Sequence, residues 1–175
     1  IVADMLFLAQ VSHPAARASF TAVNLRDEAL RVMELFALSA EDKALKLSQA
    51  GDAWVLGDRL MIQRAISNLL SNAIRHSPHG SRISLQVDTH HQRVSLTVSN
   101  PGTGIEAQHL PHLFERFYRA DNSRARTEGG TGLGLAIVRS IMSLHQGQAE
   151  ANCVPGDVTQ FRLIFPTLPA TPQVP

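Results

Sequence analysis

Apolar and polar positions along the chain fall into alternating helical and strand-like stretches. Ile1, Val2, Met5, Leu6, Leu8 and Ala9 make one broad helical stripe, followed by a linker over 11–18 that contains Pro14. A short strand is predicted at 18–23. A helix over about 25–43 follows, on which Leu25, Ala29, Val32, Leu35 and Phe36 recur at helical spacing. Two short strands, 45–48 and 53–56, flank the turn-rich Gln49-Ala50-Gly51-Asp52. Asp58 is placed to cap a helix that runs to about His76 and stops before Pro78 and Gly80. Ile83, Leu85 and Val87 alternate in the next strand, and Val94, Leu96 and Val98 in the one after it. Leu133, Ile137, Ile141 and Leu144 mark a helix over about 132–145. Strands at 147–153 and 158–165 close the domain, with Phe161, Leu163 and Phe165 on one face.

The sum predicts an α/β fold, a two-layer α/β sandwich in which three helices cover one face of a mixed, mostly antiparallel sheet. Residues 101–130 lack regular periodicity apart from an apolar-aromatic stretch at 110–118. So long a segment inside a compact domain points to a functional lid, here at about 105–130. The expected organisation is a helical remnant and linker at 1–17, one domain at 18–165 and a proline-rich, flexible tail at 166–175.

Composition narrows the function classes. Of the 175 residues, 44% are hydrophobic and 18% charged, as in a folded globular domain. A formal charge of +1, with Lys and Arg scattered, gives no bulk case for nucleic acid or a membrane surface, so any anion site must be local. Cys153 is the single cysteine and reads as a small residue in a strand. No apolar run approaches the roughly 20 residues of a membrane-spanning helix. The chain opens inside a helical pattern, so an anchor or targeting signal upstream stays open.

Three elements carry candidate chemistry. On the helix ending at His76, Asn68, Asn72 and Arg75 stand at i, i+4 and i+7. That line lies roughly 130° from the centre of the apolar stripe of Ile62, Ala65, Ile66, Leu69, Leu70 and Ala73. A carboxamide oxygen suits Mg²⁺ and a guanidinium suits phosphate oxygens, although a solvated helix face would present similar residues. Asn100-Pro101-Gly102-Thr103-Gly104-Ile105 follows a strand; its glycines allow close backbone approach, and Asn100 offers an acceptor and a donor to a nucleobase edge. Gly129-Gly130-Thr131-Gly132-Leu133-Gly134-Leu135 opens a helix, where exposed N–H groups and the helix dipole favour an anion. The Lys-Ser/Thr of a P-loop is missing, and no first strand precedes the glycines as a Rossmann fingerprint requires.

In this order the elements resemble the nucleotide-binding boxes of the histidine kinase catalytic domain, in the superfamily shared with gyrase, chaperone and mismatch-repair ATPases. Asn68-Leu69-Leu70-Ser71-Asn72-Ala73-Ile74-Arg75-His76 resembles the N box and Asn100-Pro101-Gly102-Thr103-Gly104 the G1 box. Leu113-Phe114-Glu115-Arg116-Phe117-Tyr118-Arg119 resembles the F box. Gly130-Thr131-Gly132-Leu133-Gly134-Leu135-Ala136-Ile137-Val138 resembles the G2 box.

The resemblance spans about 18–165 and implies a Bergerat ATP-binding fold with ATP and Mg²⁺ as cofactors. It implies that Asn72 ligates Mg²⁺, with Asn68 beside it on phosphate or metal. Arg75 would lie near the phosphates, His76 against the nucleotide, and Asn100 on the adenine amino group. Gly102, Gly104 and Ile105 would border the base, and Phe114, Phe117 and Tyr118 would anchor the lid. Arg119 or Arg124 would reach the γ-phosphate, while Gly130, Thr131, Gly132, Leu133 and Gly134 meet the phosphates. Asp4–Ala9 is similar to the end of such kinases' dimerisation helices. The implied partners are the dimerisation/phosphoacceptor domain of the same kinase and a response regulator. The implied parent is a homodimer in the bacterial inner membrane, with this domain in the cytoplasm and making no contact with membrane or nucleic acid.

Two departures qualify the resemblance. The common G1 box has Asp where this chain has Asn100, so the adenine bond loses its charge assistance, about twofold in strength. The Asn-Pro-Gly version resembles the heavy-metal-responsive subgroup. No histidine stands in the family's phosphoacceptor context, and His13 before Pro14 lacks the rest of it. The chain is therefore expected to bind ATP·Mg²⁺ and to deliver the γ-phosphoryl group to a histidine outside it. Alternatives are a degenerate nucleotide-binding module that regulates partners, or a self-contained ATPase. The latter predicts a catalytic Glu on the N-box helix, and 61–76 contains no acidic residue. His109 and His112, His90 and His91, and His76 and His79 invite a metal site, but Cys153 is alone and a structural Zn²⁺ needs four convergent ligands.

Overall fold

The computed structural model describes residues 2–11, 20–120, 131–153, 156 and 158–168. The linker with His13 and Pro14, lid residues 121–130 and the tail from 169 lie outside the described residues.

Strand β1 (Thr21–Asn24) runs into helix α2 (Leu25–Leu35), whose start is capped by Asn24 Oδ1 accepting from Asp27 N at 3.1 Å. The helix expected over 25–43 is interrupted. At Phe36 (φ −99°, ψ 5°) the N–H is shared among the carbonyls of the last turn, and a second helix, α3 (Ala37–Asp42), sets off with Ala40 buried. The kink lets the half-buried Phe36 pack on the core, where a straight helix would carry residues beyond it outward.

Strands β2 (Lys46–Ala50) and β3 (Trp54–Gly57) follow, and then α4 (Arg59–His76). Asp58 caps α4 as its sequence predicts, with Oδ1 accepting from Met61 N at 2.9 Å. Ile62, Ala65, Ile66, Leu69, Leu70, Ala73 and Ile74 form the buried stripe. Each large member of it contributes about 1.5–3 kcal/mol by leaving water. Strands β4 (Arg82–His90) and β5 (Arg93–Pro101) make a hairpin whose two-residue turn holds His91 (φ 45°) and Gln92 (φ 59°) in the left-handed region. This is the twist that a two-residue hairpin loop demands. Helix α5 (Gly134–Leu144) and strands β6 (Gln148–Cys153) and β7 (Val158–Pro166) complete the chain.

The main sheet has the order β2-β4-β5-β7-β6. Only β2 and β4 are parallel, because the intervening α4 carries the chain back across one face; the other pairs are antiparallel. Val98 faces Leu85 and Phe161, and Leu96 faces Val87 and Leu163, so apolar side chains meet across adjacent strands under the helices. The sandwich and its mixed sheet match expectation, with one difference. Strands β1 and β3 do not join the sheet but form an antiparallel ribbon of their own.

Helix α1 (Val2–Val11) packs against α5. Leu8 and Val11 are buried, while Val2, Met5 and Leu6 are exposed. Arg64 of α4 lies 3.8 Å over the Phe7 ring and donates to Asp4 Oδ1 at 2.8 Å. Buried His145 ties the ends of α4 and α5 together: its Nδ1–H donates to Ile141 O at 2.7 Å, and Nε2 accepts from Asp58 N at 3.1 Å. No described helix is long and apolar enough to cross a membrane.

Candidate functional site

The α4 stripe that packs on the sheet leaves Asn68 and Asn72 half-buried at its margin and Arg75 and His76 exposed. Asn68 is the bridge between the two site helices. Its Nδ2 donates to the carbonyl of Gly134, the first residue of α5, at 3.1 Å. Asn72, one turn further along, has no hydrogen-bond partner for its carboxamide among the described residues. A half-buried amide without a protein partner, in a helix that Asn does not favour, leaves both its oxygen and its NH₂ group open to solvent or a ligand.

The start of α5 faces this carboxamide line. The first turn of a helix leaves its N–H groups without intrahelical acceptors, and the dipole adds positive potential there. Thr131 Oγ1 accepts from Leu133 N at 3.4 Å, a weak local tie. Leu133 is 1% exposed, so its side chain belongs to the core. Gly132 has φ +71°, and a Cβ there would lie 2.9 Å from Phe117 Cα. The close approach has a purpose: Phe117 N donates to Gly132 O at 2.9 Å and docks the F-box turn onto the glycine segment.

The G1 turn closes the other side. Asn100 is 4% exposed near the end of β5, with Nδ2 donating to Pro101 O at 3.1 Å and the carboxamide oxygen left as an acceptor. The strand continues through Pro101, whose partner is Val158, one residue further than the sequence pattern indicates. Gly102 abuts the end of α4: a Cβ on it would sit 3.1 Å from His76 O. Gly104 takes φ +81°, and half-buried Ile105 follows it against the core.

At the start of the segment expected to form a lid, Leu110–His112 makes a short 3-10 turn and Leu113 is buried. Phe114 meets Phe161 edge-on with centroids 6.2 Å apart. Tyr118 packs on the core, its hydroxyl 2.6 Å from His109 Nδ1. Phe117 differs from its expected role. The residue is 56% exposed, and its backbone, at φ +63°, makes the contact with Gly132. Arg119 is half-buried after Tyr118, and Arg124 and Gly130 lie outside the described residues.

The structure thus brings Asn68, Asn72, His76, Gly102, Gly132 and Gly134 to one end of the α4–α5 pair. Sequence reasoning missed two neighbours. Lys43 Nζ donates to the carbonyls of Ile74 and Arg75, both at 2.9 Å. Cys153 Sγ accepts from Ile105 N at 3.0 Å and so touches the G1 turn rather than merely filling a strand. No spacing rule links 43 to 74 or 105 to 153. Among the described residues no group of three or more His, Cys, Asp or Glu is arranged to hold a metal ion.

Comparison with known proteins agrees with this geometry. The sequence profile of the "histidine kinase-, DNA gyrase B-, and HSP90-like ATPase" family matches residues 57–169. The chain is 46% identical over 169 residues to sensor histidine kinase CusS of Escherichia coli O6:H1, covering 95% of this chain and 35% of that protein. It is 38% identical over 162 residues to sensor protein CzcS of Cupriavidus metallidurans, covering 93% of this chain and 34% of that protein. The chain therefore spans about a third of the length of the curated relatives it matches. Among solved structures, the catalytic domain of histidine kinase ThkA superposes with a TM-score of 0.73 at 26% identity, over 85% of this chain and 95% of that one. The chain belongs to the family of histidine kinase-, DNA gyrase B- and HSP90-like ATPases, and its likeness within that family is to the ATP-binding catalytic domains of sensor histidine kinases.

Proposed function

We propose that the domain binds ATP·Mg²⁺ between α4 and the start of α5 and delivers the γ-phosphoryl group to a histidine on a dimerisation domain outside this chain. The phosphohistidine would then serve a response regulator. The observation that carries the reading is the Asn68–Gly134 bond, which holds the carboxamide line and the glycine-rich helix start against each other.

The residues fit the ligands in chemical type. Asn72 Oδ1 would hold the metal, which when bound neutralises phosphate charge. Asn68 would fix the metal-bearing face relative to the helix start, whose N–H groups receive phosphate oxygens. Arg75, and Arg119 or Arg124, would supply cations to the phosphates, and His76 would lie against the nucleotide. The Asn100 oxygen would accept from the adenine amino group. Gly102, Gly104 and Ile105 would border the base. Phe114 and Tyr118 would keep the base of a lid over 105–130 on the core. Transfer breaks the bond between the γ-phosphorus and the bridging oxygen, leaves ADP, and forms a P–N bond on the acceptor imidazole. The protein's share is positioning and charge neutralisation.

In this reading residues 1–17 are the end of the dimerisation helix with its linker, and 18–165 the catalytic domain. The parent is a membrane-anchored homodimer with this domain on the cytoplasmic side. Its stimulus is a heavy metal sensed outside this chain, an expectation resting on the Asn100-Pro101-Gly102 version of the first glycine turn. The test mixes the purified chain with γ-labelled ATP, Mg²⁺ and a separately purified dimerisation domain. Acid-labile, base-stable label on that domain supports the reading; nucleotide binding without any label points to a regulatory module instead.

A further inference from the structure

Helix α4 ends beside the G1 turn, and the way its last carbonyls are satisfied is unusual. A helix C-terminus leaves its final carbonyls without intrahelical donors, and they carry the negative end of the dipole. Here Ala73 O accepts from Ser77 N at 3.0 Å and from Ser77 Oγ at 2.6 Å. The next two carbonyls, of Ile74 and Arg75, both go to Lys43 Nζ at 2.9 Å. His76 O abuts Gly102. Lys43 is itself the residue that ends α3, and its own carbonyl accepts from Gly80 N at 2.9 Å. One side chain from an element outside the site thus ties down the turn that carries Asn72, Arg75 and His76.

We propose that Lys43 is a positioning residue for nucleotide binding: its ammonium holds the last turn of α4 so that Asn72 and the Gly102 turn keep a fixed separation. The inference rests on the nucleotide reading given above. The helical bond from His76 N–H to Asn72 O closes the turn that Lys43 clamps, so fraying from the C-terminus reaches the backbone of Asn72 first. The same fraying moves His76 O, and with it the packing against Gly102. Lys43 acts through these residues and touches no nucleotide.

The experiment compares affinity for Mg²⁺·AMPPNP, by calorimetry on the full chain well below its unfolding temperature, with thermal stability measured without nucleotide. Lys43→Met removes the charge and all three donors. Its affinity is expected to fall about fivefold or more, because a cation at a helix end is lost together with two bonds. Lys43→Arg can still donate to two carbonyls and is expected to stay within about twofold of the parent chain. Ile83→Val, a core change away from the site with a similar cost in stability, is expected to leave affinity unchanged. Should Lys43→Met not fold, Lys43→Gln, which keeps a donor without the charge, takes its place with the same expected direction. Lower stability with unchanged affinity in the Met or Gln variant would make Lys43 a structural cap only and overturn the proposal. Absence of binding by the parent chain would overturn the nucleotide reading and this inference together, whereas normal parent binding with an unaffected variant overturns only the inference.

Discussion

Replacing Gly132 by alanine separates the two costs that this glycine avoids, and Gly80 provides the internal reference. Both have left-handed backbones, φ +71° and +76°. In that region alanine is disfavoured by about 1–2 kcal/mol, of which about 0.4–1 kcal/mol returns through the less flexible unfolded chain. That net cost is common to both sites. At Gly80 nothing lies within 4 Å of the added Cβ, so no further cost arises. At Gly132 the Cβ meets Phe117 Cα at 2.9 Å, C at 3.0 Å and O at 3.2 Å, all backbone atoms that no rotamer change can move aside. The turn at 113–118 must retreat, and the Phe117 N to Gly132 O bond goes with it, at about 1 kcal/mol. Gly132→Ala should therefore melt about 2–4 °C lower than Gly80→Ala. Because the retreating turn is the support of Gly132, which leads into the helix start that would receive phosphates, affinity for Mg²⁺·AMPPNP should fall about tenfold while Gly80→Ala binds normally. Differential scanning fluorimetry and calorimetry read the two effects. Equal melting and equal affinity of the two variants would refute the close-approach argument.

Three further outcomes follow from the site. Asn72→Ala should abolish the Mg²⁺-dependent part of nucleotide affinity and leave melting within about 1 kcal/mol of the parent, since Asn72 has no described protein partner to lose; unchanged calorimetry in Mg²⁺ would remove it from the metal site. Asn100→Ala should weaken adenine nucleotides about fivefold through one lost neutral hydrogen bond while affecting guanine nucleotides less, as competition titrations would report. His145→Leu should cost about 1–3 kcal/mol, because the Asp58 amide loses the imidazole acceptor and the Ile141 carbonyl keeps only the His145 backbone N–H of its two donors, yet leave nucleotide affinity intact in the folded protein. Lost affinity there would mean that the far ends of α4 and α5 are coupled to the site.

Local signals read well in this chain. The Asp58 cap, the stripe from Ile62 to Ala73 and the alternation in β4, β5 and β7 are all formed by residues near one another in sequence, and the structure follows them. The carboxamide line was legible for the same reason, since helical spacing alone aligns 68, 72 and 75. What escaped depends on contacts between distant segments. The break at Phe36 reflects packing on a core that a periodicity count cannot see, and the separate β1–β3 ribbon reflects how strands choose partners. Lys43 lies 31 residues from the Ile74 carbonyl it caps, and Cys153 lies 48 residues from the amide it accepts. Phe117 read as an aromatic anchor, but the residue is exposed and its left-handed backbone makes the contact with Gly132.

The central claim is that one nucleotide sits between the carboxamide face of α4 and the glycine-rich start of α5. Paramagnetic Mn²⁺·ADP added to isotope-labelled chain tests it residue by residue in an amide NMR spectrum. Selective broadening at 68–76, 100–105 and 131–136, with α2 and α3 unaffected, is the expected pattern. Broadening confined to surface carboxylates such as Glu34 and Glu41, with Asn72 and Gly132 sharp, would contradict it.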